Sequence, residues 1–429
     1  MTKSLPSQTH ILNEFEINQI LKNLLSRLQS IEKTNQSYSI TVLPDFFVDR
    51  IIKVMDHDKF VGEIKKKIKA GGGSMRGYSS KDIKGGNAVN VAYCMAKLGV
   101  CINLYTVADE IGNSILRSVF APFGDRVNLF IKKGKQGLST VFEFSNPNTH
   151  SLSNVMVSDV GDNDNFGPDI LESENLVSNL RSSDAIILTN WASNLRGTDL
   201  LRSIFTNSPS SIHFLDPADI EKRCFEFVNM LRINSNLVNF LSINENEFNQ
   251  IVEALRSIFA KKTSKKENDD LVDKPAEIND GLDKLKHNFI ASNLHVFSDG
   301  VYPKNIGSIC ESVKILSSYF NLTVCLHTTK GSILSSPSSD VCAHDVGSKS
   351  MNNSADQNVF FAAALNPSRI DLVSGAGDSW DAGFMFGQLY GFNAIEKLCF
   401  ANLLASLHIE NLLKDDPSLA QVIAHIESI

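Results

Sequence analysis

The sequence contains no run of 18 consecutive apolar residues, so it offers no membrane-spanning helix. Its opening stretch, MTKSLPSQTHILNEFEINQI, lacks an apolar h-region and a small-residue cleavage site, and so does not read as a signal peptide. No Cys-x-x-Cys pair occurs. The seven cysteines, Cys94, Cys101, Cys224, Cys310, Cys325, Cys342 and Cys399, are odd in number and scattered. That argues against a disulfide framework or a zinc site and fits idle thiols in a reducing, cytoplasmic setting. There is no excess of positive charge: 41 basic against 48 acidic residues leave −7, which speaks against nucleic acid or a membrane surface as partner. Gly-Lys-Ser/Thr is missing, so there is no Walker A loop, and a G-x-G-x-x-G would need glycine where Trp380 stands. His213, His295, His327 and His344 form no His-x-x-x-His pair, and Asp162 and Asp164 do not complete an EF-hand.

What is present reads as globular, with 42% apolar and 21% charged residues. The length of 429 suggests two or three domains at about 150 residues each. Residues 12–33 carry a near-helical apolar stripe, the mark of a helix packed on something else. The run 39–54 looks like strand, 60–84 is basic and Gly-rich, and 88–98 reads as a buried helix with Gly99 as its C-terminal stop. Residues 100–109 look like strand, and 127–144 like two strands around a Lys/Gly turn. Short β-branched runs follow at 184–189, 211–216, 238–243 and 322–327, with helical stretches between them. That alternation predicts an α/β fold with a mostly parallel sheet covered on both faces. A charged insertion at 260–290 and a Ser/Asn/Asp-rich segment at 335–358 break the rhythm.

The densest chemistry lies at 371–387, DLVSGAGDSWDAGFMFG. A strand-like DLV runs into Gly375, Ala376, Gly377 and Asp378, and a helix is expected to follow. Small residues at a helix start let backbone N–H groups converge on an anion such as a phosphoryl group. A carboxylate beside them can take a proton from a hydroxyl nucleophile. A glycine turn with Asp378 as helix cap is the plain alternative. The second stretch is Gly85, Gly86, Asn87 and Asn90. Two glycines permit close backbone approach, and two amides three apart share a helical face that can meet hydroxyls. A simple capped turn explains it equally well.

Together the two stretches resemble the paired signatures of the ribokinase, or PfkB, family of carbohydrate kinases: GG-[N/K]-x-x-N-x-A and GAGD. Val42 to Asp49 is similar to that family's first strand, with Asp49 its substrate aspartate, and Gly137 to Phe142 resembles a lid strand. Asn244-Glu245-Asn246-Glu247 resembles its N-x-x-E motif, Thr328-Thr329-Lys330-Gly331 stands where its nucleotide loop falls, and Ala401-Asn402 matches an adenine-site asparagine. The resemblance implies a ribokinase-like fold with a mostly parallel sheet, flanking helices and a small β lid. It implies a helical extension at 1–38, a kinase unit at 39–429 and a lid drawn from about 45–84 and 125–150. It implies ATP as donor, with Mg2+ near Glu247 and nucleotide contacts from Asn244, Thr328, Gly331 and Asn402. Asp378 would be the base, the amides at 375–377 the anion hole, and Asp49, Gly85, Gly86, Asn87 and Asn90 the acceptor site. The acceptor would be a sugar or a nucleoside, and a non-catalytic sugar- or nucleotide-binding regulator is the alternative from another class. A homodimer through lid strands stays open. Leu372 replaces an aspartate linked in that family to a monovalent cation, and Asp381 stands where many members have asparagine.

Overall fold

The computed structural model describes residues 10–12, 14–34, 37–145, 152–172, 174–265, 306–337, 359–411 and 415–429. Most of the 260–290 stretch, nearly all of 335–358, and Cys342 lie outside these. In chain order the elements are β1 (His10–Leu12), α1 (Glu14–Thr34), β2 (Ser39–Leu43), β3 (Phe47–Val54), α2 (His57–Lys69), β4 (Ser80–Gly85), α3 (Asn87–Lys97), β5 (Cys101–Ala108), α4 (Glu110–Phe120), β6 (Val127–Lys133), β7 (Gly137–Ser145) and β8 (Leu152–Asp159). There follow α5 (Glu174–Ser182), β9 (Ala185–Leu188), α6 (Gly197–Thr206), β10 (Ile212–Leu215), α7 (Cys224–Asn234), β11 (Phe240–Ile243), α8 (Glu245–Lys265), α9 (Ile306–Phe320), β12 (Thr323–Thr328), β13 (Gly331–Ser335), β14 (Val359–Ala363), α10 (Ala376–Leu389), α11 (Ala394–Glu410) and α12 (Leu419–Ser428).

The short β-branched runs become the centre of a ten-stranded sheet in the order β1-β14-β13-β12-β11-β10-β9-β2-β5-β6. Its pairs are parallel except where β13 meets β12 and β14. Successive side chains of a strand point to opposite faces, so an apolar run feeds two cores at once. Phe214 and Ile187 enter the core under α3, α10, α11 and α12, whereas Leu215, Ile186 and Leu188 enter the core under α5 to α9. A separate four-stranded sheet, β4-β3-β7-β8, forms the small second layer.

Two expectations need correction. The strand-like DLV at 371–373 is loop, hung by the Asp371 and Leu372 N–H groups on the Ile409 carbonyl, and Val359–Ala363 is the strand instead. Within the 125–150 span assigned to the lid, Val127–Lys133 pairs with β5 as the edge of the main sheet. The lid keeps β7 and gains β8. The helix expected at 12–33 is packed on the fold, as its stripe suggested. β1 pairs in parallel with β14, and α1 buries Ile17, Leu21, Leu24 and Leu28 in the first core. These four recur at helical spacing, so one face of α1 is a core surface. A Leu21→Ala variant should lose about 2–5 kcal/mol of stability, read as a lower urea midpoint. An unchanged midpoint would mean that α1 only decorates the fold.

Candidate active site

The lid meets the main sheet where β3 and β4 leave it. Asp45, just before β3, is a structural carboxylate. It accepts from the Asn87 and Ala88 N–H groups, the Thr189 hydroxyl and the Asn190 amide, at 2.8–3.1 Å. It therefore caps α3 and ties the ends of β2 and β9 to it. Asp49, one turn of strand further on, has no such cage. It is 7% exposed and faces a cavity of ≈ 380 Å³ between the lid and the helices α3 and α11, also lined by Lys84, Asn90, Ser374, Gly375 and His408. Burial pushes its carboxyl up to about 6, the Ser139 hydrogen bond working against this. The glycine pair is explained by contact. A methyl on Gly85 would stand 2.2 Å from the Asp49 carboxylate, and Gly86, at φ 91°, would drive one to 2.8 Å from the Asp45 carbonyl.

The GAGD stretch starts α10 as expected. Gly375 sits at φ 85°, in the left-handed region, and is the N-cap. Asp378 is in the first turn. The anion hole is narrower than three successive amides, because the Ala376 N–H closes a turn on the Val373 carbonyl. The N–H groups of Gly375, Gly377 and Asp378 make no hydrogen bond among the described residues. Asp378 is 8% exposed, and burial, then the charge of Asp216, raise its carboxyl well above the ordinary range.

The two asparagines do not stand free for hydroxyls. Asn87 donates to Asp216 at 3.0 Å and does not reach the cavity. Asn90 lines the cavity, donates to Asp378 at 2.8 Å and accepts from Lys84 at 3.2 Å. Asp216, at the C-terminal end of β10, was not singled out in the sequence, although strand ends of this kind are where α/β sheets gather ligands. Burial raises it to about 6. Asp381 is buried, takes the Ser242 hydroxyl on one oxygen and has no hydrogen-bond partner for the other among the described residues. Burial, then Asp216, raise it well above its usual value.

The remaining expected residues are engaged internally. Asn244 and Glu247 form a reciprocal cap on α8: Glu247 accepts from the Asn244 N–H and amide at 2.8 and 2.7 Å, and Asn244 accepts from the Glu247 N–H at 3.1 Å. Beside them lies a cavity of ≈ 450 Å³ lined by Asp219, Glu221 and side-chain amides. Thr328 closes the β12–β13 turn on Gly331, where a methyl would strike the Ala362 carbonyl at 2.4 Å. Asn402 uses all four of its hydrogen-bonding positions, accepting from Ser332 and Trp380 and donating to the Ala362 and Ala363 carbonyls. It fastens α11 to the sheet, and reaching adenine would break those bonds. Trp191 is likewise core, 1% exposed against Phe227. His327, by contrast, stands over Gly377 at the start of α10. It stacks on Trp380 at 5.1 Å, is pushed down to about 4 by burial, and would meet a methyl on Gly377 at 3.3 Å.

Magnesium commonly takes only one or two protein carboxylates and keeps its waters. Among the described residues no group of three or more His, Cys, Asp or Glu is arranged to hold a metal alone. The unpartnered Asp381 oxygen, with Asp216 and Glu247 near enough to raise it, suits such partial coordination.

The sequence matches no family model and no curated protein. Solved structures do resemble the chain. A probable sugar kinase from Rhizobium etli aligns over 92% of this chain and 100% of its own, with a TM-score of 0.58 and 14% identity. The adenosine kinase from Sinorhizobium meliloti aligns over 92% and 99%, with 0.56 and 14%. The ribokinase from Arabidopsis thaliana, solved with ribose and ATP, aligns over 91% and 99%, with 0.54 and 14%. The chain therefore has the ribokinase fold: a large, mostly parallel sheet flanked by helices, with a smaller sheet beside it.

Asp49 gives a pH test with a definite sign. Its folded value near 6 lies above the ordinary 3.8, so its contribution to stability falls as pH rises from about 4 through 6. Asp49→Asn should remove that cost, raising stability at pH 8 by up to about 3 kcal/mol. A variant no more stable than wild type at pH 8 and at pH 4 alike would refute the reading of Asp49 as a buried, uncaged carboxylate.

Proposed function

We propose that the protein transfers the γ-phosphoryl group of ATP to a hydroxyl of a sugar or sugar-like small molecule. The observation that carries this reading is one juxtaposition. Asp378 stands in the first turn of α10 beside open amides, and Asn90 links it to a cavity whose lid side holds Asp49. A base, an anion hole and a water-poor acceptor cavity are what phosphoryl transfer to an alcohol requires. In this reading Asp378 accepts the hydroxyl proton, and the Gly375 and Gly377 amides stabilise charge on the group in transfer. Asp49 accepts hydrogen bonds from acceptor hydroxyls, and Lys84 and Asn90 hold Asp378 in place. The donor would lie along the β12–β13 turn at Thr328 and Gly331, close to His327. Mg2+ bound with the donor would neutralise charge between its phosphates, with Asp216, Glu247 and Asp381 holding it chiefly through water.

The likeness to a ribokinase solved with ribose and ATP, and to a Burkholderia thailandensis nucleoside kinase solved with inosine (TM-score 0.52), supports acceptors of this general kind. The lining of the cavity supports a sugar over a nucleoside. It is mostly carboxylates, lysines, serines and asparagines with a few branched aliphatics, and its two rings are engaged, Tyr93 with Asp415 at 3.0 Å and His408 with Asp416 at 2.7 Å. A nucleoside base gains most from apolar and aromatic walls.

A panel of ribose, fructose, adenosine and cytidine with Mg-ATP or Mg-ADP tests the reading. Product is expected from at least one sugar, and Asp378→Asn should cut turnover by about 10²-fold or more without loss of folding. Near-normal turnover in that variant would sink the mechanism. Transfer to none of the four by wild type would favour a binding protein. The acid limb of the pH–rate profile supplies a second check. Asp216→Asn removes a negative neighbour that helps raise Asp378, so the base should ionise at lower pH and the limb should move to lower pH. A limb that stays in place or moves upward would show that Asp378 is not the titrating base.

A further inference from the structure

The loop leading into the anion hole is held from behind by one imidazole. His408, in the last turn of α11, places Nε2 2.8 Å from the Ser374 carbonyl and Nδ1 2.7 Å from an Asp416 oxygen. A carbonyl oxygen only accepts, so Nε2 carries a hydrogen. The Asp416 carboxylate also has the Lys84 ammonium 3.7 Å from its other oxygen, a neighbour that favours the ionised form. It is therefore ionised and also only accepts. Both ring nitrogens then need a hydrogen, and an imidazole with two N–H groups is a cation. The pair is well shielded, with side chains 12% and 7% exposed, and the ring lies close enough that a methyl on Gly375 would stand 3.2 Å from Nε2.

We propose that His408 is a built-in imidazolium that positions the anion hole: one N–H fixes the Ser374 carbonyl, Asp416 fixes the ring, and the positive charge rests beside Gly375. Its effect on rate rests on the phosphoryl-transfer reading; its charge does not. His408 touches no reacting atom, so it is a positioning residue. It sets the left-handed turn at Gly375 and thereby the direction of the amides that follow. Asp416 has a second cation in reach, with Lys84 at 3.7 Å, and Lys84 also reaches Asn90. The supports behind the anion hole and behind Asp378 thus converge on one carboxylate. Removing the ring would leave a carboxylate and a carbonyl facing a space that a small cation can fill.

Two measurements on the full chain test this. The first is 15N NMR of histidine-labelled protein at pH 7.5, with the His408 signals assigned by their loss in His408→Gln. Both ring nitrogens should show the protonated, imidazolium pattern, and Asp416→Asn should shift them to a neutral tautomer. A neutral tautomer at His408 in the wild type would overturn the proposal. The second is turnover. His408→Ala should lower kcat on the order of tenfold or more, the cost of a charge-assisted hydrogen bond, and leave the acceptor KM nearly unchanged. Added imidazole should restore several-fold of that loss and leave wild type unaffected. Wild-type turnover in His408→Ala, or a loss that imidazole does not relieve in a variant with wild-type Tm, would also overturn it. A wild-type chain without any transfer activity would defeat the functional reading and leave the NMR result to stand or fall separately.

Discussion

Asn90 donates a hydrogen bond to Asp378 across 288 positions of sequence, and the site depends on that contact. It brings the start of α3, with its double glycine and Asp45 cap, against the start of α10. Neither helix end would make a site alone. α3 lines the cavity under the lid, and α10 offers open amides. Joined by Asn90, they set a buried carboxylate between that cavity and those amides. Lys84 extends the linkage into the lid, so lid position and base position are mechanically connected through one side chain.

The surrounding electrostatics follow from burying several acids together. Asp216, Asp378, Asp381 and Glu247 are all raised, with burial first among the causes, and the charge of Asp216 adds to it in the other three. Such a cluster costs folding free energy, and perturbed carboxylates gathered in one place mark a candidate functional site. The neighbouring groups manage the cost differently. Asp45 is saturated by N–H and O–H donors and Asp416 by cations, so both are simple structural anions. Asp49 and Asp381 are left incompletely satisfied, and these are the two that face a proposed acceptor and a proposed metal.

Much of the fold was legible because buried parallel strands are short β-branched runs, and each of the four runs between 184 and 327 became a strand of the main sheet. The helix at 12–33 was legible from its stripe, but the strand before it was not. Nothing local says that three residues at 10–12 will add an edge strand beside β14. The DLV misreading has a similar cause: Val373 favours strand, yet the Asp371 and Leu372 N–H groups bond to the Ile409 carbonyl instead of a neighbouring strand. At the site, residue types with fixed backbone duties were read well, as with Gly85, Gly86 and Gly375. Side chains whose role lies in a distant partner were not. Asn402 looked like a ligand contact and is a fastener, whereas Asp216, Asp416 and His408 carry no motif and become visible only through Asn87, Lys84 and Ser374. His327 belongs with them, since only the fold shows it lying over Gly377.

The proposed transfer places one phosphoryl group between Asp378 and the amides at the start of α10. A crystal structure of the full chain with ADP, Mg2+, aluminium fluoride and the best acceptor tests it most directly. The account predicts a fluoroaluminate held by the Gly375 and Gly377 N–H groups, in line between the nucleotide and an acceptor hydroxyl within hydrogen-bond reach of Asp378. Fluoroaluminate bound elsewhere, or an acceptor whose hydroxyls all point away from Asp378, would contradict it.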